Sequence, residues 1–399
     1  MEDDKKYLIL QNGYSVAFND NECFVNGAIV TKDDGDKRSP KELAYDLKKK
    51  KYSDFFKKHY KNLVFLTAAG TSLDNGLLPG MTRNELWKHS KSEIKELIKV
   101  LLPCSKKLKE IIRTKDIEAF LTHIMLYEKI NEDKNSIIVS LRKELEIKIK
   151  EACNLPLDKS SAPHKTFLDK ITARKPSDPR VQLFTTNYDT LFEQAANESG
   201  FVIIDGFSFT QPRKFSGRYF DYDIVHREQT RVKQEESFVS KVIHLYKLHG
   251  SLNWERDKKD EKIIQKDNPE NPLIIYPASD KYESSYEQPY FEMMSRFQQA
   301  LRNENVLLII IGFGFQDKHI QNVIIEAVEQ NPSFQLVIVN YNGNETIETT
   351  HLEPFFMDID HFIVKRNVTI LFDSFKGFTT YYPENQTYIK DINNEPIQP

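Results

Sequence analysis

Val306-Leu307-Leu308-Ile309-Ile310-Ile311 runs without a polar residue into Gly312-Phe313-Gly314-Phe315-Gln316-Asp317, and this one stretch sets the fold class. A continuous apolar run of strand length is what a strand covered on both faces requires, because a strand with one wet face would alternate. The glycines end the strand in a turn, and a polar residue then opens a helix. The same order recurs along the chain. Apolar runs at Leu63 to Leu66, Val181 to Phe184, Val202 to Ile204, Val242 to Leu248 and Leu336 to Val339 each precede a helical stretch. That alternation predicts an α/β fold built on a parallel sheet.

Outward from this core, the pattern changes three times. Residues 5 to 31 read as short strands, Tyr7 to Leu10, Tyr14 to Phe18 and Cys23 to Thr31, split by Asn-Gly and Asn-Asp turn signals, hence an N-terminal β-meander. Ser39-Pro40 then places a hydroxyl cap and a first-turn proline ahead of the lysine-rich amphipathic segment KELAYDLKKKKYSDFFKKHY. Between the first two apolar runs, KSEIKELIKVLL, DIEAFLTHIMLYEKI and SIIVSLRKELEIKIKEA keep a helical apolar period, which predicts an all-helical insertion over about residues 84 to 175. Residues 206 to 240 and 255 to 272 are polar and charge-dense, and are expected as surface excursions able to act as a lid. From Val364 the tail returns to strand-like alternation in VTILF and GFTTYYP, expected to pair with the meander or with a neighbouring subunit.

Composition narrows the classes. At 399 residues, and about 150 per domain, the chain has length for two or three domains. Hydrophobic residues at 39% and aromatics at 12% are too many for a disordered chain, and 56 Lys plus Arg against 59 Asp plus Glu create no global field for nucleic acid. Three cysteines far apart, Cys23, Cys104 and Cys153, fit neither a disulfide framework nor a four-cysteine zinc site, and point to a reducing, cytoplasmic setting. No run approaches the roughly 20 apolar residues of a membrane span, so a soluble protein is expected.

Five strand ends carry polar chemistry. Ala68-Ala69-Gly70-Thr71-Ser72 follows the strand ending at Leu66; small residues there let a diphosphate approach the backbone, although a tight packing turn accounts for them equally well. Phe184-Thr185-Thr186-Asn187-Tyr188-Asp189 puts an amide and a carboxylate at a carboxyl edge, where either could simply cap the next helix. Tyr246-Lys247-Leu248-His249-Gly250-Ser251 delivers an imidazole to the same edge, with a pKa suited to proton transfer near neutrality. His244 on that strand points the other way and reads as structural. Gly312-Phe313-Gly314 and the strand end Val337-Ile338-Val339-Asn340 are weaker signals, the second offering an amide to a ribose hydroxyl.

In this order AAGTS, TTNYD, KLHGS, GFGFQD and VIVN resemble the sirtuin family of NAD-consuming enzymes over roughly residues 61 to 345. The likeness is greater to the bacterial sirtuin-like NADases of antiphage defence, which share the TxNYD and KLHGS phrasing. The resemblance implies a Rossmann-like, sirtuin-like parallel sheet with NAD as substrate and cleavage of the nicotinamide-ribose bond. By motif match Asn187 would hold the attacking water or the ribose, His249 would be the general base, and Asp189 would sit near the nicotinamide carboxamide. Ala68, Ala69, Gly70, Thr71 and Ser72 would line the diphosphate, Gly312, Gly314 and Asn340 would hold the adenosine end, and Thr186 and Asp317 would complete the nucleotide site. Ala68 replaces the usual glycine, Gly76 to Arg83 replaces the shorter acidic run of protein deacylases, and no CxxC is present. A water acceptor in place of acyl-lysine, and no zinc, are therefore expected.

The implied division is 1–60 as meander and helix, 61–345 as catalytic domain with the insertion, and 346–399 as a β-rich extension serving assembly. The implied biology is NAD depletion during phage infection by a homo-oligomer controlled by a HerA-type hexameric ATPase, through which nucleic acid would be reached. Two other readings stay open: a DNA-acting nuclease subunit, resting on the lysines from Lys48 to Lys61, and a non-catalytic NAD or ADP-ribose sensor.

Overall fold

The protein is described by a computed structural model covering residues 5–101, 106–130, 135–175, 178–225, 238–274, 288–315, 317–341 and 368–384. Its strands are β1 (Lys6–Gln11), β2 (Tyr14–Phe18), β3 (Cys23–Val25), β4 (Ala28–Ile29), β5 (Asn62–Thr67), β6 (Gln182–Thr185), β7 (Val202–Ile204), β8 (Val242–Lys247), β9 (Gly250–Ser251), β10 (Trp254–Arg256), β11 (Ile263–Gln265), β12 (Leu273–Ile274), β13 (Val306–Ile311), β14 (Phe334–Asn340) and β15 (Val368–Phe372). Eleven of them form one sheet in the order β4-β3-β2-β1-β15-β14-β13-β5-β6-β8-β7. From β15 to β7 all neighbours run parallel, while β1 to β4 extend the sheet antiparallel. This is the mixed α/β, Rossmann-like arrangement expected from the alternating pattern.

All of β13 is buried, because both faces are covered. Its alternate residues divide between two cores: Leu307, Ile309 and Ile311 join one, and Val306, Leu308 and Ile310 the other. Helices α1 (Pro40–Phe56), α8 (His164–Thr172) and α9 (Leu191–Ser199) cover the first face. On the second lie α10 (Tyr290–Arg302) and α11 (Lys318–Gln330). Between α1 and α8 the chain forms the one-turn α2 (Ala69–Leu73) and then α3 (Arg83–His89), α4 (Lys91–Leu101), α5 (Lys106–Thr114), α6 (Ile117–Ile130) and α7 (Asn135–Cys153). Helices α3 to α7 close around their own core, with Trp87, Leu97, Phe120 and Leu145 at its centre. The insertion therefore ends at α7. Although α8 falls inside the expected insertion, it packs on the sheet through Phe167, Leu168 and Ile171.

Several local expectations change. Cys23 to Thr31 is not one strand: Asn26 and Gly27, both at positive φ, turn the chain between β3 and β4. VTILF is β15, and it pairs with both β14 and β1, so the described ends of the chain share one sheet. GFTTYYP is not a strand. It belongs to helix α12 (Phe375–Tyr381), capped by Ser374, because Phe375, Phe378, Thr379 and Tyr382 bury one helical face. Within the segment from 206 to 240, Phe207 is buried against Trp254 and Phe220 against Tyr246, so charge density there conceals an aromatic cluster; residues 226–237 lie outside the described ones. Most of the 346–399 extension also lies outside them. Ser39 caps α1 in a reciprocal box with Glu42, as its sequence suggests. On that helix Lys48 is fully buried and pairs with Asp373 at 2.7 Å, so it belongs to the core and supports no DNA surface.

Candidate functional site

The chain leaves β5 toward β6 on one side, while β13 sits on the other, so the strand order reverses between β5 and β13. In open α/β sheets the crevice beyond the carboxyl ends at such a point is where ligands bind. Here the two loops touch through glycines. Gly312 has φ +69°, and a β-carbon on either Gly70 or Gly312 would lie 2.5 Å from the α-carbon of the other. Only paired glycines allow this approach.

Beside that contact, the loop after β6 locks onto the loop after β5. Asn187 Nδ2 donates to Ala68 O at 3.0 Å, and it lies 3.1 Å from Thr71 Oγ1 and 2.8 Å from Ser72 Oγ. A carbonyl only accepts, so the amide nitrogen must face Ala68, and Oδ1 is the end of the side chain left to engage a ligand or water. Ser72 Oγ donates in turn to Asp189 Oδ2 at 2.5 Å, while Asp189 Oδ1 accepts from Leu191 N at 3.1 Å. Asp189 is not the N-cap, which is Thr190; it accepts from the first helical N–H from one residue further back, and both of its oxygens are engaged. From β8, the buried Lys247 ammonium donates to the carbonyl oxygens of Tyr188 and Asp189 and to Glu193 Oε1 at 2.9 Å, tying KLHGS to TTNYD.

His249 follows β8 and is nearly buried. Its Nε2 donates to Asp317 Oδ2 at 2.9 Å, which leaves Nδ1 as the basic nitrogen. Asp317 Oδ1 meanwhile accepts from His319 N and Ile320 N and caps α11. Burial pushes the Asp317 carboxyl up, but His249 and those two N–H groups outweigh it and hold the group below its ordinary value. Expected only as part of the nucleotide site, Asp317 is also the orienting partner of the imidazole.

A cavity of about 730 Å³ opens over this edge. Such a volume suits a small molecule or nucleotide. Ala68, Ala69, Ser72, Thr186, Asn187, Asp189, His249, Gly312, Gly314 and Asp317 line it. Gly70, Thr71 and Asn340 do not: the first two are spent on the Gly312 and Asn187 contacts, and Asn340 ends β14 beside Phe372. The opposite wall comes from the helical insertion and carries Arg83, Asp116, Glu118, His123 and Tyr127. None of these was singled out from the sequence. Asp116 accepts from the N–H groups of Glu118 and Ala119, so DIEAF could be read as a helix start, but not as a wall facing His249. No described residue between 206 and 240 lines the cavity. Helix α2 has only five residues, so little dipole is available beside the AAGTS loop.

Among the described residues, no group of three or more His, Cys, Asp and Glu side chains could hold a metal ion, and no helix is long and apolar enough to cross a membrane. The family profile described as SIR2-like domain matches residues 181–356, a span holding TTNYD, KLHGS and the glycine turn after β13. It supports a sirtuin-like family, and because SIR2-like domains are in general NAD-dependent enzymes it is compatible with NAD-related activity. No curated protein matches the chain.

Proposed function

We propose that the protein is an NAD glycohydrolase that cleaves the bond between nicotinamide and ribose, giving nicotinamide and ADP-ribose. The observation that carries this reading is the convergence of Asn187 and the His249–Asp317 pair on one nucleotide-sized cavity at the switch point of the sheet.

The chemistry asks little more of the protein. When the N-glycosidic bond breaks, its electron pair leaves with nicotinamide, which departs neutral, and the sugar carbon becomes an oxocarbenium-like cation. Water attacks that carbon and must lose one proton. Asn187 Oδ1 is suited to accept a hydrogen bond from the water and orient it. His249 Nδ1 is suited to take the proton, and Asp317 steadies the imidazolium that results. Hydrolysis therefore releases one proton per turnover, passed from water to His249 and then to solvent. Ser72, Thr71 and Ala68 hold the Asn187 amide in one orientation. Such preorganisation keeps the cost of positioning out of the chemical step.

The resemblance to antiphage NADases carries the biological part of this reading. NAD depletion would be the response to phage, in the cytoplasm, by a homo-oligomer under the control of a HerA-type hexameric ATPase. Nicotinamide release from NAD by the full chain, alone and with that ATPase, is the test. Replacing Asn187 or His249 by Ala is expected to lower the rate by about 10² to 10⁴-fold in a chain that still folds, with the loss of their hydrogen bonds costing about 1 to 3 kcal/mol. Absence of release in both states, or full activity in both variants, would refute the reading.

A further inference from the structure

Five acids line the cavity, and four of them are otherwise placed. Asp189 is held by Ser72 and Leu191 N, Asp317 by His249 and the start of α11, Asp116 caps α6, and Glu110 is solvent-exposed. The fifth is Glu118. Its side chain, 20% exposed, stands in the first turn of α6, and its Oε2 lies 3.6 Å from Arg83 Nη1. Among the described residues that ion pair is its polar contact. It lines the same cavity as Asn187, His249 and Asp317, from the wall opposite the sheet edge.

We propose that Glu118 reads the charge of the bound dinucleotide, selecting the oxidised form with its cationic pyridinium ring over the reduced, uncharged form. This rests on the reading of the cavity as an NAD site. A carboxyl in a partly dry wall attracts a cation far more strongly than one in water, and it gains nothing from the neutral ring. The remainder of the wall supplies no equivalent: Asp189, Asp317 and Asp116 each accept hydrogen bonds at 2.5 to 3.1 Å, Glu110 is exposed to water, and Arg83 stands 3.6 Å from Glu118.

The groups around Glu118 set its protonation. Burial, the largest influence, raises it, Arg83 on α3 and His249 after β8 pull it down, and Asp116 before α6 and Asp317 before α11 push it up, leaving it raised to about 7. Cys153 on α7 also lies within its field, and burial raises that thiol to about 12, so it stays neutral. Glu118 thus gains its charge as pH rises through neutrality, and preference for a cationic ligand should rise with it.

Calorimetric titration of the full chain tests this with three probes: a carbocyclic NAD analogue that keeps the cationic ring and resists hydrolysis, NADH, and ADP-ribose. Wild type is expected to prefer the carbocyclic cation over NADH by about tenfold at pH 8 and by less at pH 6. In Glu118→Gln the preference should fall to within about threefold, with ADP-ribose affinity within about twofold of wild type. Retention of the full preference in the variant, or no preference in a wild type that binds all three, would overturn the proposal and leave the NAD site standing. An equal loss for all three probes in the variant would make Glu118 a structural residue and overturn it as well. Failure of wild type to bind any of them would overturn the NAD site and the proposal together.

Discussion

Gly70 and Gly312 meet backbone to backbone across the strand-order reversal, with Gly70 N 3.3 Å from Gly312 O and no room on either for a β-carbon. The obstacle at each is main chain, which cannot rotate aside as a side chain would. Gly70→Ala or Gly312→Ala should therefore cost about 1 to 3 kcal/mol or more and lower the melting temperature. Gly312→Ala should be the worse, since its φ of +69° adds backbone strain. A wild-type melting curve for both would contradict the close approach.

Asp317 performs two tasks with two oxygens, and one substitution separates them. In Asp317→Asn the amide oxygen can still cap α11, but the side chain can no longer act as a charged acceptor for His249 Nε2–H. The expected outcome is near-native stability with a kcat for nicotinamide release reduced by about 10²-fold or more and little change in KM. Asp317→Ala should add about 1 kcal/mol of destabilisation from the lost cap. Equal kcat for wild type and Asp317→Asn would remove Asp317 from the mechanism.

Lys247 and Glu193 form a pair in which the lysine side chain is 2% exposed and the carboxylate 20%. Burial raises the Glu193 carboxyl, and the Lys247 charge and hydrogen bond work against it. Lys247→Met leaves that carboxyl without its cation and frees the TTNYD carbonyls, so a loss of about 3 to 5 kcal/mol in chemical denaturation is expected. Adding Glu193→Gln should restore part of it. A single variant as stable as the double would show that the pair contributes nothing.

His164 gives the fold a pH dependence away from the cavity. It is fully buried between Phe192 and Phe375, and neither ring nitrogen has a hydrogen-bond partner among the described residues. Burial pushes its pKa down to about 3. The unfolded chain takes up a proton near pH 6.5 while the folded one does not, so stability falls as pH drops from 6.5 toward 3. Between pH 7 and 5 this one group should remove about 2 kcal/mol. His164→Leu should flatten that limb in a series of melting curves, and an unchanged slope would assign the acid sensitivity elsewhere.

The central sheet was legible because its strands announce themselves locally. VLLIII must be covered on both faces, and the turns after LVFL, QLFT and VIHLYK end in small or polar residues wherever the period changes. Within the site, Asn187 and His249 could be named for the same reason: each stands at the carboxyl end of a recognisable strand, and such ends share one edge of a parallel sheet. GFTTYYP misled because aromatics and β-branched residues fit a strand by type, while the burial of Phe375, Phe378 and Tyr382 follows a helical spacing.

Sequence alone therefore determined the parallel α/β class, the ends at which polar chemistry collects, and two side chains, Asn187 and His249, that line the cavity there. Those are properties of short stretches, set by periodicity and turn chemistry within a few residues. Tertiary structure decided the rest: that Asp317 reaches His249 across 68 positions, that Glu118 on the insertion lines the same cavity as both, and that β15 joins the two described ends of the chain in one sheet. The physical reason is that strand order and helix docking, which bring distant segments together, are chosen by the summed burial of whole surfaces, and no single segment carries that sum.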